Sequence, residues 1–142
     1  MKRMVSKKGR GASLKFVLDS DIDHEELGML SDFINWQPLY NLYTTPEGLV
    51  VHLELPGVDL QDVVIYLRSR YMIVNGSRTA PSWLERNLCV FHSLEIPYGH
   101  FSRRIDFPVP IEARQYGYEI QNGILTLYFQ SLQEKIIPVE GD

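Results

Sequence analysis

From Trp36 onward the apolar positions of the chain recur at every second residue. In PLYNLYTTPEGLVVHLELPG, Leu49, Val51, Leu53 and Leu55 fall on one face of an extended segment that follows a turn at Pro46-Glu47-Gly48, which predicts a β-hairpin. VVIYLRSRYMIVNGSR holds two more strands, one on each side of Arg68-Ser69-Arg70. Gly99, between Tyr98 and the strand that begins at Phe101, fits a further reversal. FSRRIDFPVP alternates Phe101, Arg103, Ile105 and Phe107 until Pro108 and Pro110 end it. YGYEIQNGILTLYF predicts a last hairpin turning at Asn122-Gly123, a pair that suits a two-residue turn with positive φ. Short strands between turns, with no second helical pattern, predict an all-β, immunoglobulin-like β-sandwich over residues 37–131.

The first 36 residues follow other rules. Residues 1–15 carry Lys2, Arg3, Lys7, Lys8, Arg10 and Lys15 with two glycines, a composition that cannot collapse on itself and reads as a flexible arm. In DSDIDHEELGMLSDFINW the charge changes sign. Asp23 and Glu26 form a capping-box pair, and Leu27, Leu30 and Ile34 recur at helical spacing, so a short amphipathic helix is predicted. Met29 and Phe33 widen its apolar face beyond what a lone surface helix shows to water, so it needs a partner surface. Residues 132–142 form a C-terminal extension that ends in EKIIPVEGD, an apolar patch with nothing downstream to bury it.

A chain of 142 residues with 44% hydrophobic and 23% charged residues suffices for one domain with arms, without disulfides or metal. A net charge of −4 gives no general pull toward nucleic acid, and no stretch is apolar over the length a bilayer needs, so neither nucleic-acid binding nor stable membrane insertion is expected. One cysteine, Cys89, and the absence of an apolar secretory leader point to a reducing compartment, the cytoplasm.

No catalytic constellation emerges. Cys89 and His92 are three apart, a spacing that sets them on opposite faces of a strand, with no acid at a useful interval; a partly buried, inert cysteine is expected. His24, His52, His92 and His100 are scattered, so no metal site is predicted. Gly9-Arg10-Gly11 lacks the strand and helix that give glycine loops their phosphate-binding amides, and no P-loop occurs. No cofactor is expected.

Five stretches do carry a pattern: LELPGV at Leu53–Val58, VNGSR at Val74–Arg78, EIPYGHFSRRIDFP at Glu95–Pro108, NGILTL at Asn122–Leu127 and IPV at Ile137–Val139. In this order and spacing they resemble the small heat-shock protein family, the α-crystallin-domain chaperones. The resemblance implies an ATP-independent holdase for unfolding clients, a homodimer that assembles into a larger homo-oligomer, and no enzymatic activity. It implies a strand-exchange loop between Arg78 and Glu95, and so a dimer interface at Arg103, Leu88, Val90 and Phe91. The loop departs from the family's usual charged composition by its apolar residues. The resemblance makes Ile137 and Val139 an oligomer anchor, and the groove that receives it falls at Val63, Ile65, Tyr118 and Ile120; Tyr118 stands where the family generally has a small alanine. In an extended segment Ile137 and Val139 point the same way while Pro138 stiffens the peptide. Met29, Leu30, Phe33, Ile34 and Trp36 are the expected client-binding surface. The alternative is a non-catalytic adaptor or co-chaperone module that binds one folded partner through the same sandwich.

Overall fold

Leu49, Val51, Leu53 and Leu55 are all buried, as their alternation requires, while Val50 and His52 between them are half-exposed. A computed structural model of the chain describes residues 14–18, 34–86 and 89–132. Its strands are β1 (Lys15–Val17), β2 (Tyr40–Thr44), β3 (Gly48–Glu54), β4 (Val64–Leu67), β5 (Tyr71–Arg78), β6 (Gly99–Asp106), β7 (Ile111–Gln121) and β8 (Ile124–Ser131). They form two four-stranded sheets, one in the order β2-β3-β8-β7 and the other in the order β1-β4-β5-β6. The core lies between them. Leu49, Val51 and Leu53 of β3 and Leu125, Leu127 and Phe129 of β8 meet Ile65, Leu67, Met72, Val74, Phe101 and Ile105 of the second sheet.

The hairpins follow the predicted turns. β2 and β3 pair from Tyr40↔Leu53 to Thr44↔Leu49, closed by Thr45 and Gly48. Gly48 also lies so close to β8 that a Cβ there would run into the Phe129 carbonyl. Asn122 and Gly123 both have positive φ, 54° and 81°, the backbone of a tight two-residue turn between β7 and β8. β7 carries an irregularity between Ile111 and Tyr116, so its early residues leave the β8 ladder.

Three features differ from the sequence reading. The arm expected to lie outside the sandwich enters it: Lys15–Val17 is a strand, parallel to β4. Its three residues follow a basic run, and the alternation of Leu14, Phe16 and Leu18 around them is too short to announce a strand. Within the long loop before β6 the structure has a one-turn helix, α1 (Trp83–Arg86). Cys89, expected to be partly buried, is exposed, its thiol 3.7 Å from the Leu84 carbonyl.

A buried cation fastens the loops at one end of the sandwich. Arg78, at the end of β5, is 8% exposed. Its Nε and Nη2 donate to the Pro97 carbonyl and its Nη1 to the Pro56 carbonyl. The guanidinium carbon stands 4.1 Å from the centre of the Trp36 ring and 5.6 Å from that of Tyr98. Carbonyl dipoles and ring faces thus replace water around the charge, and a planar five-donor group suits them in a way a single ammonium does not. Arg78→Lys is expected to lower unfolding stability by about 1.5–3 kcal/mol, the loss typical of hydrogen bonds to a charged group. Urea unfolding at fixed protein concentration measures it. The emission of Trp36 in a Trp83→Phe background should shift to the red in the folded protein as the loops loosen; unchanged stability and emission would mean that Arg78 holds nothing.

Candidate functional site

A two-sheet sandwich has two seams where the edges of the sheets approach each other. In this chain one seam lies between β4 and β7 and the other between β6 and β2. Of the residues singled out from the sequence, the described ones lie at these seams, on the loop beside them and, for Ile34, at the outer face of the second sheet.

At the first seam, Val63 and Ile65 are fully buried, Tyr118 is 2% exposed, and Ile120 is half-buried against the same core. β1 lies across them. Phe16 pairs with Ile65 in the parallel ladder and stacks on Tyr116 of β7, ring centres 3.9 Å apart, with Tyr118 tilted at 5.9 Å. The Leu14 amide donates to the Tyr118 hydroxyl at 3.3 Å, and Arg68 Nη1 donates to the Val17 carbonyl at 3.2 Å. Burial raises the Tyr116 phenol above its ordinary pKa, with the neighbouring Tyr118 contributing in the same direction. The hydroxyl therefore stays neutral across the physiological range. Sequence reasoning missed Phe16 and Tyr116; the alternation of Leu14, Phe16 and Leu18 was the available signal.

At the second seam, Arg103 shares a face with Phe101 and Ile105 and is half-buried. Its Nη1 donates to the Pro38 carbonyl at 3.4 Å, and its guanidinium lies 4.7 Å from the centre of the Tyr40 ring of β2. Arg103 thus ties β6 to β2 and to the segment that leads into it. Arg104, one step on, points to solvent, paired with Asp106 at 3.0 Å. β2 is the end strand of its sheet, and Leu39 and Tyr43 beside that edge are exposed.

The loop between β5 and β6 presents a run of exposed apolar side chains. Val90 is 78% exposed, Phe91 61%, Leu94 72% and Ile96 66%, with Trp83 and Tyr98 also exposed. Single exposed apolar residues are ordinary, but a cluster of this size marks an interaction surface. Leu88, predicted to join it, lies outside the described residues, as do Ile137, Val139, Met29, Leu30 and Phe33.

Of the predicted client surface, Ile34 and Trp36 are described. Ile34 helps to line a cavity of about 600 Å³ on the outer face of the second sheet, with Val64, Tyr66, Asn75 and Phe101. The Asn75 amide is buried there without a hydrogen-bond partner among the described residues. Trp36 is committed to the sandwich: its indole N–H donates to the Gly99 carbonyl at 3.0 Å, its ring packs on Phe101 at 4.9 Å, and it lies under Arg78. Among the described residues no group of three or more His, Cys, Asp or Glu side chains is placed to hold a metal, and no helix is long and apolar enough to cross a membrane.

Comparison with known proteins bears on the same strands. Residues 42–140 match the model of the Hsp20/alpha crystallin family. Spore protein SP21 of Stigmatella aurantiaca is 29% identical over 90 residues, 63% of this chain and 52% of its own length. Small heat shock protein C2 of Rickettsia felis is 29% identical over 91 residues, 64% of this chain and 58% of its own. The chain thus spans little more than half the length of these two relatives. Heat shock protein 16.0 of Schizosaccharomyces pombe, a solved structure, superposes with a TM-score of 0.60 at 25% identity, covering 74% of this chain and 99% of that one. The family match takes in most of β2, every later strand and the segment past the last one: this chain is a member of the Hsp20/alpha crystallin family.

Proposed function

We propose that this protein is a cytoplasmic, ATP-independent holdase that captures unfolding chains and keeps them from aggregating. The observation that carries the reading is the extent of the family match, which covers the sandwich from Leu42 onward and continues to residue 140, through Ile137-Pro138-Val139. A chaperone that only holds needs apolar surface and a rigid scaffold to present it, with no reacting groups. The scaffold is the sandwich. Met29, Leu30, Phe33 and Ile34 supply adaptable apolar contact with clients, and Trp36 anchors that segment to β6.

The dimer forms where the exposed loop residues Val90 and Phe91, continued by Leu88, meet the outer edge of β2 on a second copy, beside Arg103 at the seam. A sheet edge is a template for another strand, and the exposed Leu39 and Tyr43 offer apolar contact beside it. Larger assemblies then use Ile137 and Val139 as a two-pronged hook on a neighbouring subunit. Burying two aliphatic side chains yields about 3–6 kcal/mol before association costs, so one hook alone binds at about millimolar strength at best. Many hooks hold an assembly that can still exchange its parts.

Two outcomes are expected. Suppression of client aggregation, followed by light scattering during heating, should be the same with ATP, without it and with a chelator. It should saturate with the ratio of chaperone subunits to client, because capture is stoichiometric. A requirement for ATP or metal, or protection of a large excess of client by trace protein, contradicts the holdase; a single folded partner retained stoichiometrically in a pull-down favours a dedicated adaptor instead. Replacing Ile137→Ala together with Val139→Ala should bring the mass measured by light scattering down toward that of a dimer, and an unchanged mass would remove the hook.

A further inference from the structure

The two described pieces of the N-terminal segment lie at opposite edges of one sheet and run in the same direction. β1 is parallel to β4 at one edge. At the other, Trp36 bridges Phe101 of β6 in parallel, and the Asn35 and Trp36 amides donate to the His100 carbonyl. Because β4, β5 and β6 alternate in direction, β1 and the Trp36 bridge are parallel members of a single sheet. Parallel members need a crossover connection of a dozen or more residues, usually helical, and here residues 19–33 make it. The inner face of the sheet is closed to them, because β3 and β8 fill it.

The outer face carries the marks of a cover. Ile65, Val74 and Phe101 enter the core, so by alternation Tyr66, Asn75 and Ser102 face away from it. All three are shielded nonetheless: Tyr66 is 9% exposed, Ser102 8%, and both polar atoms of the Asn75 amide are out of contact with water. Ile34, where the connection ends, already lies on this face with Val64, Tyr66 and Asn75.

We propose that residues 19–33 dock across the outer face of the second sheet of their own subunit, with Leu27, Leu30 and Phe33 toward Val64, Tyr66 and Ile73, and give the sandwich a third layer. The lengths agree. By register Leu18 stands level with Ile105 and Ile34 with Gly99, about 20 Å apart along the strands and about 19 Å across them, a diagonal of about 28 Å. The chain from Leu18 to Ile34 reaches about 24 Å as a helix and about 53 Å extended, so a helix with short extended ends fits the path. The docking gives the wide apolar face predicted around Leu27, Leu30 and Ile34 the partner surface it needs. A segment tethered at both edges of a face meets that face at high effective concentration, which favours its own subunit over a second copy. Leu30, Phe33 and Ile34 also belong to the client surface proposed above, and on that reading docking and capture draw on the same side chains.

Thiol accessibility tests the docking in the full-length protein carrying Cys89→Ser. Asn75→Cys should react with a charged thiol reagent at least tenfold more slowly than Thr126→Cys, a half-exposed position on the outer face of the other sheet. Adding Leu27→Ser with Leu30→Ser should raise the rate at Asn75→Cys at least tenfold and leave that at Thr126→Cys unchanged. A second measurement keeps most of the apolar face intact. Paired with Asn75→Cys, a cysteine introduced at Leu27, Leu30 or Phe33, one at a time, should close a disulfide within one subunit from at least one position, tenfold or more faster than from Gly28 or Asp32 on the opposite face of the predicted helix. Equal labelling at Asn75→Cys and Thr126→Cys overturns the docking, as do disulfides that close equally from both faces. Disulfides that join two subunits overturn docking on the same subunit and assign the segment to a second copy. Client protection during heating separates this inference from the holdase. Protection that falls on oxidation and returns on reduction supports the shared side chains, and protection that stays equal refutes that sharing. No protection even in the reduced protein, with the disulfide formed, overturns the holdase and leaves the docking standing.

Discussion

Every sheet edge leaves backbone donors and acceptors without partners, and the organisation of this chain follows from how it covers them. Without β1 the two sheets would end at β4 and β6 and at β2 and β7, four such edges meeting in two seams. β4 is covered by β1, which also spans the seam to β7. β6 is covered at its start by Asn35 and Trp36, whose amides both reach the His100 carbonyl, at 2.8 and 3.3 Å. Across the second seam Arg103 of β6 reaches the Pro38 carbonyl and the Tyr40 ring. The outer edge of β2 faces an exposed Leu39 and Tyr43. The covered edges use pieces of the N-terminal segment, so that segment is part of the sandwich at both of its described ends.

The central strands were legible because burial on one face imposes a period of two. Leu49, Val51, Leu53 and Leu55 announce β3, and Asn122-Gly123 announces the turn into β8, because only residues tolerant of positive φ close it so tightly. β1 escaped because three residues carry too little pattern, and because Lys15 continues a basic run whose composition signals a solvated tail. Its meaning comes from Ile65 and Tyr116, which are distant in sequence. Arg78 escaped for a related reason. An arginine at a strand end is usually solvated, and what buries it is a convergence of Pro56, Pro97, Trp36 and Tyr98 that no local spacing encodes. Cys89 was misjudged because residue type was the guide, and the loop that carries it leaves it exposed.

The candidate sites divide along the same line. Where a site belongs to a regular strand, as Arg103 does, the face it shares with Phe101 and Ile105 was readable in advance. Where a site is a cleft between strands, the sequence named residues from both walls, but it did not show that Val63, Ile65 and Tyr118 are closed off by the chain itself. A buried wall is a poor docking surface until its cover moves. The cover therefore becomes part of the site.

This bears on where a fold whose core does not rearrange can still change. Fully buried residues such as Val51, Leu53, Ile65 and Val74 fix the two sheets, and changing their packing is far costlier than moving a short edge strand. The parts that can change are peripheral, among them β1 and the loop around Val90 and Phe91. An empty seam between β4 and β7 would expose the Tyr116 and Tyr118 rings and the row of backbone groups on β4, a surface that invites indiscriminate pairing. β1 prevents that state, because Leu14 and Phe16 bury the cleft while its backbone pairs with β4.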